Sequence, residues 1–318
     1  MRGRRSGGIE ILPQLRESGI TGGIGMAKIL VMGGTRFFGK RLVELLLEQP
    51  GHEVVIATRG RTDDPFGDRV RRIRLERTDA ASLKSAACSE EYWDIVYDNI
   101  CYSPDEALAA AEAFAGRAGH YILTSSHSVY DPQPEPLTEE HFDPYTYTAQ
   151  PGSKEEMSYQ EGKRRSESVL LQKADFPVSA VRFPIVLGMD DYTERLHFHI
   201  RHVREGRPIG MPKPEAALSF IRSDEAAGFL AWLGRNGPLG PVNASSSGSM
   251  SPGEIVAVIE RTLGVKAELR PETEREDMSP FGIPDTWVQD NAKASAAGFA
   301  FLELAQWLPE LVEQLRDV

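Results

Sequence analysis

Residues 28–48 read KILVMGGTRFFGKRLVELLLE and restrict the fold more than any other stretch. Lys28 to Met32 is mostly apolar and fits a buried strand. Gly33 to Gly39 is a tight glycine-containing turn, after which Leu42, Val43, Leu45, Leu46 and Leu47 recur at helical spacing. Strand, glycine turn and helix in that order open a doubly wound α/β sheet. The first turn of such a helix leaves backbone N–H groups unpaired and partly positive. A pyrophosphate fits there wherever the backbone can come close.

The rest of the first half repeats the unit. Glu53–Thr58 reads as a second strand, Arg72–Leu75 as a third, Asp94–Tyr97 as a fourth and His120–Thr124 as a fifth, with helical stretches from Ala80 and from Pro104 to about Ala115. Residues 131–152 are rich in proline, threonine and acidic side chains and read as a long loop, a lid over the site. A helix begins near Ser153, and Val178–Arg182 is a sixth strand. Further helices are expected over His197–Arg204, from Asp224 through Leu233, over Glu254–Leu263 and over Leu302–Arg316. The predicted class is α/β: a doubly wound parallel sheet with a smaller C-terminal substrate domain. Its boundaries are a flexible tail over 1–25, a dinucleotide-binding domain over 26–185 to which 217–245 returns, and a substrate-binding region over 186–216 and 246–318.

Composition narrows the function classes. The net charge of −11 argues against nucleic-acid binding by bulk electrostatics. Two cysteines, Cys88 and Cys101, make no disulfide framework and suit reduced thiols in a cytoplasmic protein. No apolar run approaches a membrane span. The first 25 residues hold Arg2, Arg4, Arg5 and Arg16 without the apolar centre of a secretory signal, so they read as a tail preceding the folded part.

Three groups of residues can carry chemistry. Tyr159 and Lys163 lie one helical turn apart, with Glu167 and Leu171 continuing the same face. An ammonium near a phenol stabilises its anion, which makes the tyrosine usable as an acid/base. Ser126, just past the fifth strand, is the chosen third member, because its hydroxyl can both donate to and accept from a substrate oxygen. Thr124, Ser125 and Ser128 are its rivals. At the end of the second strand, Arg59 stands where a carboxylate would favour NAD. A base there suits the 2′-phosphate of NADP, and Arg36 in the glycine turn can join it. His197, His199 and His202 look like a metal cluster, but helical spacing points the first two about 200° apart, so a solvated helix is expected and no metal. Cys101 faces either the cofactor or the core.

Gly33-Gly34-Thr35-Arg36-Phe37-Phe38-Gly39, Thr124-Ser125-Ser126 with Val129-Tyr130, and Tyr159-x-x-x-Lys163 together resemble the extended short-chain dehydrogenase/reductase family, and more narrowly its NAD(P)-dependent epimerase/dehydratase branch. The likeness runs from about Met26 to Leu263. It implies a Rossmann domain whose turn from Gly33 to Gly39 holds NADP or NAD. It implies Tyr159 as acid/base, Lys163 also on the nicotinamide ribose, Ser126 polarising the substrate, and Asp79 against the adenine. Arg182-Phe183-Pro184 resembles the segment beside the nicotinamide, and Ile221-x-x-Asp224 the return to the cofactor domain. The middle glycine usual in that turn is Arg36 here, and His127 is unusual beside the serine.

The implied activity is that of an epimerase, dehydratase or dehydrogenase working on a hydroxyl-bearing carbon, with a nucleotide sugar as first substrate class. The alternatives are an NADP-dependent reductase of a small ketone and a dinucleotide-binding regulatory or RNA-associated protein. Arg195 is read either as a hold on an anionic substrate or as one half of an ion pair. The family pairs subunits through the helices near 103–115 and carrying Tyr159. A homodimer is therefore expected, with Ala107, Leu108, Ala111, Val169 and Leu170 as the apolar surface to bury.

Overall fold

The computed structural model describes residues 27–317, so the reading of 1–25 as a tail lies outside the described residues. The first half alternates as expected: β1 (Ala27–Met32), α1 (Phe37–Leu47), β2 (His52–Thr58), β3 (Arg71–Arg74), α2 (Ala80–Ala87), β4 (Trp93–Asp98), α3 (Pro104–Ala113), β5 (Ala118–Ser126), α4 (Tyr159–Lys173) and β6 (Val178–Phe183). The second half is built of shorter pieces: β7 (Ile185–Leu187), α5 (Arg195–Glu205), β8 (Pro208–Gly210), β9 (Phe220–Arg222), α6 (Ser223–Asn236), β10 (Gly240–Asn243), α7 (Pro252–Leu263), β11 (Glu268–Arg270), α8 (Ala292–Ala296) and α9 (Leu304–Gln314).

Seven strands form one sheet in the order β10-β6-β5-β4-β1-β2-β3, and its pairings are parallel. A central parallel strand is covered on both faces, which is why β1 reads as the unbroken apolar run Ile29-Leu30-Val31-Met32. Leu42, Val43 and Leu46 of α1 pack with Phe229 and Leu230 of α6 on one face. Leu83, Ala107, Ala110 and Leu170 from α2, α3 and α4 cover the other. The chain winds outward from β1 to β3 and restarts beside β1 with β4. The crevice beyond the strand ends opens at that reversal. A separate apolar cluster, including Ile200, Ile255, Ile259, Trp307 and Leu308, forms the core of the C-terminal part.

One buried ion pair holds the far half of the sheet to α4. Arg182 on β6 and Glu167 on α4 are both 0% exposed and meet at 2.6 Å. The remaining Arg182 donors reach the Tyr130 hydroxyl at 2.7 Å and the carbonyls of Glu139 and Phe142, each at 3.0 Å. Ser125, at the end of β5, donates its hydroxyl to the same carboxylate.

Three expectations are corrected. Residues 131–152 are no lid. Leu137 exchanges backbone bonds with Val288 and Asp290 of the C-terminal part, Tyr147 bonds Glu161, and Gln172 holds the carbonyls of Pro144 and Tyr147. The buried guanidinium needs backbone acceptors from this loop, and that draws it away from the cleft. The histidine helix α5 is not solvated either: His197, His199 and His202 are all buried. His199 lies between the Arg195 carbonyl and Ser279, and His202 between the Phe198 carbonyl and Asp277. No three potential metal ligands converge among the described residues. Finally, the apolar surface proposed for a dimer is mostly internal, since Ala107, Ala111 and Leu170 are buried in the subunit's own core. Of the five, Leu108 is the one left exposed, at 41%.

Glu225 on α6 sits at the seam with the C-terminal segment. Its carboxylate accepts from the Ser246 hydroxyl and the Leu302 amide, each at 2.5 Å, and Trp307 in turn bonds Ser246. Burial pushes this carboxyl up to about 7 against the opposing pull of those hydrogen bonds. The folded chain therefore binds a proton that the unfolded chain releases between its ordinary value of 4.5 and about 7. Stability from this group falls as pH rises through that window and is flat above it. Glu225→Gln should remove that slope and gain roughly 2–3 kcal/mol on the wild type at pH 8 relative to pH 4.5. Urea midpoints of the two proteins running parallel across this range would contradict it.

Candidate active site

The glycine turn is built by exclusion. Gly33 has φ +85°, and a β-carbon there would lie 2.7 Å from the Ile100 side chain. A β-carbon at Gly39 would collide with the Gly33 carbonyl oxygen. Phe37 takes φ +50°, a left-handed conformation that costs a bulky residue about 1–3 kcal/mol. Its ring is held between Phe38 and Tyr192, at 5.7 and 6.1 Å between centroids. The N-cap of α1, Arg36, makes no side-chain cap, and the first turn holds no acid. The first N–H groups of α1 are thus left for an external acceptor.

This turn forms one end of a cavity of about 870 Å³ that runs past the ends of β1, β2, β4 and β5. Gly33, Thr35, Arg36, Phe37, Phe38 and Gly39 line it, as do Arg59, Ser126, Tyr159 and Lys163. Arg36 does not block it: the guanidinium reaches sideways to the Thr62 hydroxyl at 3.1 Å and lies 6.0 Å from the centre of the Tyr192 ring. Gly34 is absent from the lining. A β-carbon there would meet Val43, so its role is close packing of turn on helix.

Two further residues fall outside the cleft lining. Asp79 is exposed and caps α2, accepting from the Ala81 amide at 2.9 Å, and is not among the residues that line the cavity. Glu76, Arg77 and Thr78 line the cleft in its place. Arg77 is buried and pairs with Asp98 at 2.7 Å. Cys101 is buried, and burial pushes its thiol up to about 12. Its backbone carbonyl, not its sulfur, serves the site.

That carbonyl holds Lys163, which is 1% exposed. The ammonium donates to Cys101 O and Thr124 O, each at 2.8 Å, leaving one of its three N–H donors for a ligand. It lies 4.5 Å from the centre of the Tyr102 ring and 5.8 Å from that of Tyr159. Tyr159 itself is 55% exposed at the mouth. Burial raises the phenol of Tyr102, keeping it neutral beneath the ammonium. Tyr102 was not singled out from the sequence; its place directly after the β4 end is the signal that could have found it.

Two of the rivals, Thr124 and Ser125, are engaged by neighbouring side chains, whereas the Ser128 hydroxyl has no partner among the described residues. Thr124 donates to Asn99 at 2.7 Å, and Ser125 is engaged by buried Glu167. Ser126 accepts from the Ser128 amide at 3.1 Å, and its own proton is unassigned. Arg195 also lines the cleft. It bonds Thr193 at 2.8 Å and makes no ion pair among the described residues, whereas Asp190 pairs with Arg41.

Comparison with known proteins agrees with this architecture. Residues 29–99 match the sequence model of the NAD dependent epimerase/dehydratase family. Over 225 residues the chain is 30% identical to the chloroplast stem-loop binding protein of 41 kDa b from Arabidopsis thaliana. That alignment covers 65% of this chain and 55% of the relative, so the chain spans little more than half of the curated relative it matches. Among solved structures, it resembles UDP-glucose 4-epimerase from Thermus thermophilus in complex with NAD (TM-score 0.68, 18% identity, 91% of this chain and 99% of that one). It also resembles UDP-N-acetylglucosamine 4-epimerase from Methanobrevibacter ruminantium in complex with UDP-N-acetylmuramic acid (0.70, 18%, 92% and 98%). A third neighbour is dTDP-glucose 4,6-dehydratase from Bacillus anthracis in complex with NAD (0.70, 14%, 92% and 96%). At these identities the structural likeness shows the fold alone, one shared with the two epimerases and the dehydratase just named. Within it, residues 29–99 carry the NAD dependent epimerase/dehydratase sequence pattern.

Gly39→Ala tests the turn. The obstructing atom is backbone and cannot swing aside, so a loss of about 1–3 kcal/mol is expected in urea unfolding. Gly228→Ala on α6, where a β-carbon meets nothing, should be neutral or stabilising by up to about 1 kcal/mol. Equal midpoints for both variants would show that the turn tolerates a side chain.

Proposed function

We propose that this chain is an NAD(P)-dependent epimerase, dehydratase or dehydrogenase that acts on a hydroxyl-bearing carbon, with a nucleotide sugar as its substrate class. The observation that carries this reading is the convergence of Ser126, Tyr159 and Lys163 on one cleft whose other end is the uncapped glycine turn. The turn suits a dinucleotide, since its glycines leave no room for β-carbons and the first N–H groups of α1 have no side-chain partner. A bound nicotinamide supplies the hydride acceptor or donor. The protein's share is proton movement and charge. Tyr159 takes the proton of the substrate hydroxyl, Lys163 stabilises the negative charge that develops on the phenol oxygen, and Ser126 hydrogen-bonds the substrate oxygen. The fate of the oxidised carbon distinguishes the three activities: reduction on its other face, loss of water, or release.

For the cofactor, Arg59, Arg61 and Arg74 support the phosphate-bearing form. They line a small adjoining cavity of about 260 Å³ and make no ion pair among the described residues, whereas Arg71 and Arg72 are paired with Glu90 and Asp64. The Thermus and Bacillus neighbours hold NAD and give this preference no support, so it rests on the three arginines alone. A second reading, RNA association, is favoured by the stem-loop binding relative alone. The net charge of −11 weighs against it. A single titration series decides among these. NADP should bind at least about tenfold tighter than NAD, and Arg59→Ala should erase the difference. Salt-dependent retention of an RNA hairpin, displaced by neither dinucleotide, would favour the second reading.

Tyr159→Phe should lower turnover by about 10²–10⁴-fold while leaving dinucleotide affinity within about twofold. Near-wild-type turnover across a panel of nucleotide sugars and small ketones would remove Tyr159 from the mechanism. Turnover of the ketones alone would replace the sugar by a small ketone as the substrate.

A further inference from the structure

Between β7 and α5 the chain makes a compact turn over residues 188–194, and three contacts tie that turn to the start of α1. Asp190 pairs with Arg41 at 2.9 Å, the Tyr192 ring meets that of Phe37 edge to face at 6.1 Å, and the Arg36 guanidinium lies 6.0 Å from the centre of the Tyr192 ring. Tyr192 and Thr193 line the cleft together with the glycine turn. Burial, and after it the phenols of Tyr159 and Tyr192, raise the phenol of Tyr102, so Tyr192 also stands within electrostatic reach of the β4 end. It thus spans the two strand ends between which the crevice opens.

The turn is firm in itself and lightly tied. Asp191 is 3% exposed and accepts from the amides of Thr193 at 2.9 Å and Arg195 at 3.4 Å, while its carbonyl accepts from the Glu194 amide at 3.0 Å. The ties across to α1 are partly in solvent: the Arg41 and Asp190 side chains are 33% and 37% exposed, and Tyr192 is 64% exposed. Such contacts hold weakly. The two non-glycine residues with positive φ among the described residues, Phe37 at +50° and Glu194 at +53°, flank this junction. Backbone held in that region clusters at ligand clamps.

We propose that residues 188–194 are a strap that lifts to admit the dinucleotide and then closes over it, with Tyr192 as the residue that holds the cofactor down on the glycine turn. The inference rests on the dinucleotide reading and adds to the cofactor's site a residue from the segment assigned to substrate. The Tyr192 hydroxyl has no hydrogen bond among the described residues and is free to donate to a phosphate oxygen. Because the strap is firm, it moves as a body once its ties break, and the rates of cofactor entry and exit are both set by that movement.

The test follows binding of NADPH and NADH to the full chain by stopped-flow fluorescence. Asp190→Asn and Arg41→Gln break the same tie with opposite changes of charge. Each should raise the association and dissociation rate constants together, by about threefold, leaving Kd within about twofold. Electrostatic steering would instead move association in opposite directions in the two variants. Tyr192→Ala should raise dissociation about tenfold or more and weaken Kd, and Tyr192→Phe, which keeps the ring on Phe37, should raise dissociation alone. Tyr145→Ala, at a tyrosine 54% exposed and outside the cleft lining, should change neither rate. Wild-type rates in the Asp190 and Arg41 variants, or faster dissociation of Tyr192→Ala with association unchanged, overturn the strap while leaving the proposed function standing. A wild type that binds neither dinucleotide overturns the dinucleotide reading, and the strap with it.

Discussion

A charge taken out of water must be met by an opposite charge and by enough hydrogen bonds, and Arg182 with Glu167 meets that condition in full. Both are 0% exposed, and the guanidinium's donors are spent on Glu167, Tyr130 and two backbone carbonyls. Removing one partner of such a pair typically costs about 3–5 kcal/mol, because the other is stranded. The pair therefore acts as a geometric constraint. Glu167 is one helical turn beyond Lys163 and two beyond Tyr159, so anchoring it sets the rotation and depth of α4 against β5 and β6. Ser125 on the same carboxylate links the end of β5 to this anchor, and Ser126 is the next residue.

The cleft has two ends of opposite construction. At the glycine turn, side chains are excluded and backbone N–H groups remain open, a surface that suits a diffuse anion. At the other end, aromatic and aliphatic side chains, among them Leu218, Ile283 and Trp287, form the walls. Between them Lys163 is fixed by two carbonyls from different strands' ends, so its charge is held in place before any ligand arrives. Tyr159, at the mouth, is far more exposed than Lys163.

Local pattern was a good guide where a residue's role depends on its own neighbours in the chain. The apolar run of β1, the spacing of Tyr159 and Lys163, and the Ser103-Pro104 start of α3 are of this kind. It misled where the role depends on what packs from elsewhere. Asp79 looked suited to a ligand, but helix capping claimed it and left Glu76 to line the cleft. The histidines of α5 looked solvated until Ser279 and Asp277, some 75–80 residues away, took their ring nitrogens. Residues 131–152 looked like a lid because their composition is that of a loop. Their destination is set by Arg182 and Glu161, which composition does not reveal.

The amino-acid order alone determined the βα alternation, the parallel sheet and the identity of the turn and helix that carry the glycines and the Tyr/Lys pair. These follow from short-range periodicity and steric rules. Only the folded chain decided that Thr124 and Ser125 are engaged by Asn99 and Glu167, that Cys101 contributes its carbonyl instead of its thiol, and that His127 and Trp287, 160 positions apart, meet with their polar atoms unpaired. Such contacts depend on the completed packing of distant segments, and no local spacing rule encodes them.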